Sequence, residues 1–158
     1  MENLSVFSGT ATNATLQLVG FKVGSEEFGV DILKVQEIIR MVPISPIPNA
    51  PDFVDGIINL RGRIIPVVDF RKRFRMSEQT ESGEKSRRIV VFALVSETVG
   101  IVVDSVTQVM KLKDDQISPP PRIAAGLDGD AIVGVGQLGE KILTLLDLER
   151  VFQENTLH

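Results

Sequence analysis

The chain has 158 residues, 43% of them apolar, and a net charge of −4, which is enough for a real core in one or two small domains and offers no general attraction for nucleic acid. Trp, Tyr and Cys are absent and the one histidine is His158, so most base-stacking candidates are removed, disulfides and thiolate chemistry are excluded, and no usable imidazole is left for catalysis. No apolar run approaches the ~20 residues that span a bilayer, and MENLSVFSGTATNAT has neither the basic start nor the apolar stretch of a signal peptide, so the expected location is the cytoplasm, with no direct membrane insertion.

Residues 1–14, rich in Ser, Thr, Asn and Gly, read as a flexible arm. The fold begins near Thr15, where an alternating run to Val23 turns at Gly24-Ser25-Glu26-Glu27 into Phe28-Gly29-Val30, a first hairpin. Asp31 to Ile39 reads as a strand interrupted by one short helical turn, with Asp31 as its cap. Pro43, Pro46, Pro48 and Pro51 make the next stretch an extended, preset connection.

Gly56 to Phe74, GIINLRGRIIPVVDFRKRF, is the most legible stretch. Ile57, Ile58 and Leu60 run into Arg61-Gly62, and Arg63 to Val68 runs out again, a tight hairpin in which the glycine supplies a positive φ. Pro66 cannot donate to a ladder, so its strand is expected to lie at a sheet edge or to carry a bulge there. Asp69 then caps a short helix, Phe70-Arg-Lys-Arg-Phe74, whose Arg71 to Arg75 read as a solvent-facing basic cluster. Met76 to Arg88 is a polar linker, and Arg88 to Val95 is an almost unbroken apolar run expected to be a strand covered on both faces.

From there the pattern returns. At an offset of 71, Phe21 falls on Phe92, Gly29 on Gly100 and Val35 on Val106; at an offset of 78, Gly56 falls on Gly134, Leu60 on Leu138, Ile64 on Ile142, Asp69 on Asp147 and Phe74 on Phe152. The seven extra residues of the second copy are assigned to the loop holding Pro119-Pro120-Pro121 and Gly126 to Asp130, with Asp128-Gly129-Asp130 as a tight turn. Two copies cannot stack into a solenoid, so two similar β-modules of about seventy residues are expected. A final helix from Asp147 to Phe152 docks through Leu148, Val151 and Phe152.

The chemistry of the chain is sparse. There is no G-x-S-x-G elbow and no P-loop; Gly134-Val-Gly136-Gln-Leu-Gly139 spells G-x-G-x-x-G but runs into a β-stretch rather than a helix, which speaks against a dinucleotide site. Asp31, Asp69, Asp104 and Asp147 stand at element ends, where capping or pairing with an arginine explains them. Asp128-x-Asp130 is too short for an EF-hand loop. Arg61 differs from the other cations, because a guanidinium beside a glycine at a hairpin tip is presented outward, where it can bind a partner carboxylate with two hydrogen bonds.

The order Phe28-Gly29-Val-Asp31-Ile-x-x-Val35-x-Glu37-Ile, then Pro48-Asn49-Ala-Pro51-x-Phe53-Val-x-Gly56-Ile-Ile-Asn59-Leu60-Arg61-Gly62, Pro66-Val67-Val68-Asp69, Val99-Gly100-Ile-Val-Val-Asp104 and Leu145-Leu146-Asp147-Leu148 resembles the CheW-like domain family, the coupling proteins of bacterial chemotaxis. The likeness covers about residues 16–153. It implies a mainly β fold of two five-stranded SH3-like barrels around a shared apolar seam, divided at about 15–75 and 87–153 within one domain spanning 15–153, with 154–158 as a tail. It implies no catalysis and no cofactor, and a scaffold that joins the signalling tip of chemoreceptors to the regulatory domain of the histidine kinase CheA. The receptor groove of the family then places Val35, Glu37, Gly56, Asn59, Arg61 and Gly100 at the receptor, with kinase contacts near Ser118 to Ile123, where Ile123 replaces an aromatic common in relatives. A paralogue serving another sensory array, or a ligand- or nucleic-acid-binding barrel, are the alternatives.

Overall fold

The computed structural model describes residues 15–74, 76, 84–120 and 131–153; the arm, the turn at Asp128 to Asp130, Ile123 and the tail lie outside them. Among the described residues eleven strands form: β1 (Leu16–Val23), β2 (Glu26–Asp31), β3 (Val35–Arg40), β4 (Val54–Leu60), β5 (Arg63–Asp69), β6 (Arg88–Ala93), β7 (Thr98–Val103), β8 (Ser105–Leu112), β9 (Ile117–Ser118), β10 (Ile132–Leu138) and β11 (Lys141–Leu146). Two short helices follow hairpins, α1 (Phe70–Arg73) and α2 (Leu148–Gln153).

The predicted local elements are in place for the predicted reasons. Asp31 closes β2 and its Oδ1 accepts from the Leu33 amide at 2.9 Å, starting the single 3-10 turn Ile32–Lys34. Asp69 accepts from the amides of Arg71 at 2.9 Å and Lys72 at 3.4 Å and so caps α1. Leu148, Val151 and Phe152 are all buried, as the docking of the last helix requires.

The sequence repeat is matched element by element, β1 with β6, β2 with β7, β3 with β8, β4 with β10, β5 with β11 and α1 with α2, but the strands regroup. One sheet has the order β3-β6-β7-β5-β4 and the other β8-β1-β2-β11-β10-β9. The first joins the early hairpin of the second copy to strands of the first copy, through the parallel pair β5·β7 (Val67 opposite Gly100). The second sheet does the reverse through the parallel pair β2·β11 (Leu145 opposite Gly29). Among the described residues the compact units are therefore not the halves 15–75 and 87–153: one is built from 15–20, Glu26–Leu33 and those from Thr107 on, the other from those of Phe21–Ser25 and Lys34–Val106. Each copy leaves its first hairpin without in-sequence partners, so each must take the other copy's strands.

Strand number departs from five in one sheet, because Ile117 and Ser118 form the two-residue β9 against β10. Its counterpart in the five-stranded sheet is a single bridge, in which Ser45 donates to the Ile57 carbonyl at 2.9 Å and accepts from the Ile57 amide at 2.8 Å. This bridge explains Pro66. Because Ile57 turns both its polar groups away from β5, Pro66 opposite it occupies a non-hydrogen-bonded position and its missing N–H costs β4·β5 nothing. β5 is thus an interior strand rather than an edge strand, and its pairing with β7 starts only at Val67, one residue past the proline. The bulge sits on the partner strand, between Val54 and Gly56.

In the unit holding β3 to β7, Ile58, Ile65, Val67, Ile89, Val91 and Val102 bury one face of the sheet. At about 1.5–3 kcal/mol for each fully buried side chain, this cluster dominates the local stability. On the other side Phe21 meets Phe70 edge-to-face with centroids 5.4 Å apart. Arg71 does not face solvent as the basic run suggests: it is buried and ion-pairs with Asp104, which also accepts from the Gly24 amide at 2.7 Å. A charge so placed needs its partner, since removing one member leaves the other desolvated.

Gly56 is the tightest point of this unit. Its φ is +150° and a Cβ there would lie 2.1 Å from the Ser45 carbonyl oxygen. Gly56→Ala should therefore cost about 2–4 kcal/mol, from backbone strain plus displacement of the Ser45 segment. Gly62 has φ +89° but open space around it, so Gly62→Ala should cost only about 1 kcal/mol. Denaturant melts of both variants check the order.

Candidate functional site

The hairpin β4–β5 closes with Leu60 opposite Arg63, leaving the two-residue turn Arg61-Gly62. Both turn residues have positive φ, +53° for Arg61 and +89° for Gly62, the combination of a type I′ turn. The sequence pointed to the glycine alone. A non-glycine residue in the left-handed region needs local support, and Asn59 provides it, its Oδ1 accepting from the Gly62 amide at 2.8 Å. Arg61 is thereby fixed at the tip with 71% of its side chain exposed.

The carboxylate that Arg61 meets belongs to its own chain. Its Nη2 pairs with Oε2 of Glu37 in β3, whose side chain is 28% exposed. β3 and the β4–β5 hairpin lie at opposite ends of the five-stranded order. A flat sheet would hold them roughly 14–19 Å apart, beyond the combined reach of the two side chains. The ion pair thus reports a strongly curled sheet.

Glu37, Val91, Gly100, Val67 and Gly56 are successive cross-strand partners, a single row over β3, β6, β7, β5 and β4. Three of the six positions that the resemblance assigns to a receptor, Glu37, Gly100 and Gly56, fall on this row. A Cβ on Gly100 would lie 2.9 Å from Ile89 Cγ2, so this glycine admits close packing of neighbouring strands. Val35 opens β3, half-buried and opposite Phe92, with a bulge before Glu37. All six positions belong to the same compact unit. Glu37, Asn59 and Arg61 form one polar constellation, whereas Gly56, Gly100 and Val35 serve the backbone and packing beneath it.

The second copy supplies an internal control. In the other sheet Gly134, Leu145 and Gly29 form the same cross-strand row, and a Cβ on Gly134 would lie 3.2 Å from the Ser118 carbonyl oxygen. The glycine architecture is therefore common to both copies. The polar constellation is not, because Gln108, Gln137 and Gly139 stand where Glu37, Asn59 and Arg61 would be. Ser118 is exposed in β9, the structural counterpart of Ser45; Ile123 lies outside the described residues.

Residues 17–156 match the model of the CheW-like domain. The chain belongs to the CheW-like domain family. Among curated CheW-like relatives, the chemotaxis protein CheW of Klebsiella aerogenes is 40% identical over 137 residues, covering 87% of this chain and 81% of the relative. That of Treponema pallidum is 36% identical over 143 residues, covering 89% of this chain and 84% of the relative. Among solved CheW-like structures, the scaffolding protein TtCheW from Thermoanaerobacter tengcongensis superposes with a TM-score of 0.81 and 34% identity, over 90% of this chain and 95% of that one.

Sequence reasoning about this CheW-like chain missed two contacts at the site. Arg63, across from Leu60, donates from Nη2 to Thr98 Oγ1 at 2.9 Å; the two are 35 residues apart and nothing local signals the bond. Asp55, next to Gly56, is the other: burial, and then the Asp69 carboxylate, push its pKa above the usual carboxylate value, against the opposing pull of Lys72 and Arg87. Burial likewise raises Asp147, partly offset by its hydrogen bond from Glu149. Among the described residues no group of three His, Cys, Asp or Glu gathers as a metal would need, and no helix is long and apolar enough to cross a membrane.

Because the folded state holds Asp55 at a pKa above its unfolded value, its contribution is most favourable below the unfolded value and is lost as pH rises through the raised one. At neutral pH the ionised group burdens the fold. Asp55→Asn should accordingly melt higher than the parent protein at pH 7, and the advantage should shrink as the pH falls towards about 4, the ordinary carboxylate range. Thermal melts of both proteins across that range measure it.

Proposed function

We propose that the protein is a non-catalytic scaffold of bacterial chemotaxis, working in the cytoplasm, that couples chemoreceptor signalling tips to a CheA-type histidine kinase. Membership of the CheW-like family supports the scaffold role, and the solved relative TtCheW is itself a scaffolding protein. The observation that carries the receptor assignment is the Asn59-braced tip, where Arg61 is held outward and paired with an exchangeable carboxylate, Glu37. A carboxylate of the receptor tip replaces Glu37 on Arg61, a near-balanced exchange because an ion pair this exposed is itself worth little.

Val35, Gly56 and Gly100 shape the backbone on which that exchange occurs. Kinase contact is assigned to the region of Ser118 and Ile123, in the other compact unit. Receptor and kinase sites on separate units suit a scaffold, whose function is to hold two partners so that a shift in one biases the other through differential contacts. Nucleic acid and small-molecule cofactors have no part in this reading.

Arg61→Glu tests it. Co-sedimentation of the full chain with receptor signalling-tip fragments and CheA-type kinase should show receptor capture reduced by about tenfold or more, as for a central interface arginine. Kinase capture should persist, and the melting temperature should stay within about 3 °C, since the side chain is outside the core. Undiminished receptor capture by the folded variant would remove Arg61 from the receptor face.

A further inference from the structure

The repeat that relates the two copies places Arg63 on Lys141 at an offset of 78 and Glu27 on Thr98 at an offset of 71. In one unit Lys141 Nζ pairs with Glu27 Oε1 at 3.4 Å, the carboxylate being only 8% exposed. In the other unit the same two positions hold Arg63 Nη2 and Thr98 Oγ1 at 2.9 Å. The geometry of the contact survives between the copies and the negative charge does not. A hydroxyl accepts a hydrogen bond and orders the guanidinium, yet leaves its full positive charge standing.

Arg63 is exposed, and no carboxylate among the described residues pairs with it. Arg61, two residues away, is already neutralised by Glu37. The hairpin therefore carries one cation whose charge is answered by a carboxylate and one that no carboxylate among the described residues answers. We propose that Arg63, ordered by the Thr98 hydroxyl, is a second recognition residue of the receptor face and takes a carboxylate of the partner protein. This rests on the receptor reading given above and adds to it a residue, a positioning partner and an order of events. The incoming acidic side chain is attracted first to the unpaired Arg63, and the Glu37 exchange at Arg61 follows.

The planar fork of arginine matches a carboxylate with two parallel hydrogen bonds. One Nη2 hydrogen goes to Thr98, and the remaining donors of the exposed guanidinium stay available for that contact. Thr98 is a positioning residue here. Its replacement by the residue at the matching place in the other copy gives a direct test, because Thr98→Glu would neutralise Arg63 internally as Glu27 neutralises Lys141.

The experiment measures association of the full chain with a receptor signalling-tip fragment by stopped flow, at low salt and near 1 M salt, for wild type, Arg63→Gln, Thr98→Glu and Arg61→Glu, with circular dichroism melts of each. Arg63→Gln removes the charge while leaving a polar, exposed amide in its place, on a shorter side chain. Both Arg63→Gln and Thr98→Glu should slow association by about five- to tenfold at low salt. The difference should close near 1 M, where charges are screened within about 3 Å; a purely structural role would leave that salt dependence unchanged. Where Thr98→Glu does not fold, Arg63→Gln decides. Wild-type rates for folded Arg63→Gln, alongside lost capture by Arg61→Glu, overturn the role of Arg63 and leave the receptor face standing. Absence of wild-type binding, or full binding by Arg61→Glu, overturns both.

Discussion

Two parallel pairings, β5 with β7 and β2 with β11, carry the architecture on a few residues each, Val67 to Asp69 against Gly100 to Val102 and Leu145 against Gly29. Without them each copy of the repeat would be a set of hairpins with open edges and one exposed apolar face. With them, the early hairpin of each copy is sealed by strands of the other, and neither half of the sequence can complete a core from its own residues. Close approach at these junctions is what the glycines provide. A Cβ on Gly100 would lie 2.9 Å from Ile89 Cγ2, and one on Gly29 3.2 Å from Leu145 Cδ2, so a side chain at either place would have to displace its neighbour.

That shared architecture separates structure from recognition inside one molecule. A row running glycine, large aliphatic, glycine crosses both sheets, and in both a serine-bearing strap seals the hairpin edge at the outer glycine, Ser45 beside Gly56 and Ser118 beside Gly134. What recurs in both copies is required by the fold. What occurs in one, the braced arginine turn with its ion pair and the hydroxyl-held Arg63, has no folding counterpart in the other. A lone hairpin in a single-copy protein would offer no such comparison.

The sequence made the local features legible because each depends on a few neighbouring residues: Asp69 caps its own helix, Gly62 makes its own turn, and Leu148, Val151 and Phe152 share a helical face. The duplication was legible too, as a fixed offset. Which hairpin joins which strands was not, since a repeat allows pairing within a copy or between copies with the same hydrophobic pattern. Pro66 was expected at an edge or a bulge and lies at neither: its tolerance comes from the Ser45–Ile57 bridge, twelve residues apart and invisible to a strand pattern. Arg71 was read as solvated because its partner, Asp104, lies 33 residues away. Of the site, Arg61 was legible from its turn; that its charge is already met by Glu37 and that Arg63's is not required the fold.

These electrostatics set limits on how the site works. The Arg61–Glu37 pair is largely in water, where such pairs are worth about 0–1 kcal/mol, so exchanging one carboxylate for another brings little net affinity. Selectivity and encounter rate are what the arginines can supply, whereas holding strength has to come from apolar contact and from simultaneous engagement of a second partner elsewhere on the chain. Under the proposed function, a scaffold built this way would bind each partner weakly and the assembled complex firmly. Under the same proposal it would also respond to change, because a small shift in where a partner carboxylate sits alters the balance between two nearly equal ion pairs, which a deeply buried and costly pair such as Arg71–Asp104 would resist. The fold places the stiff pair beneath the sheet and the exchangeable one at its exposed tip.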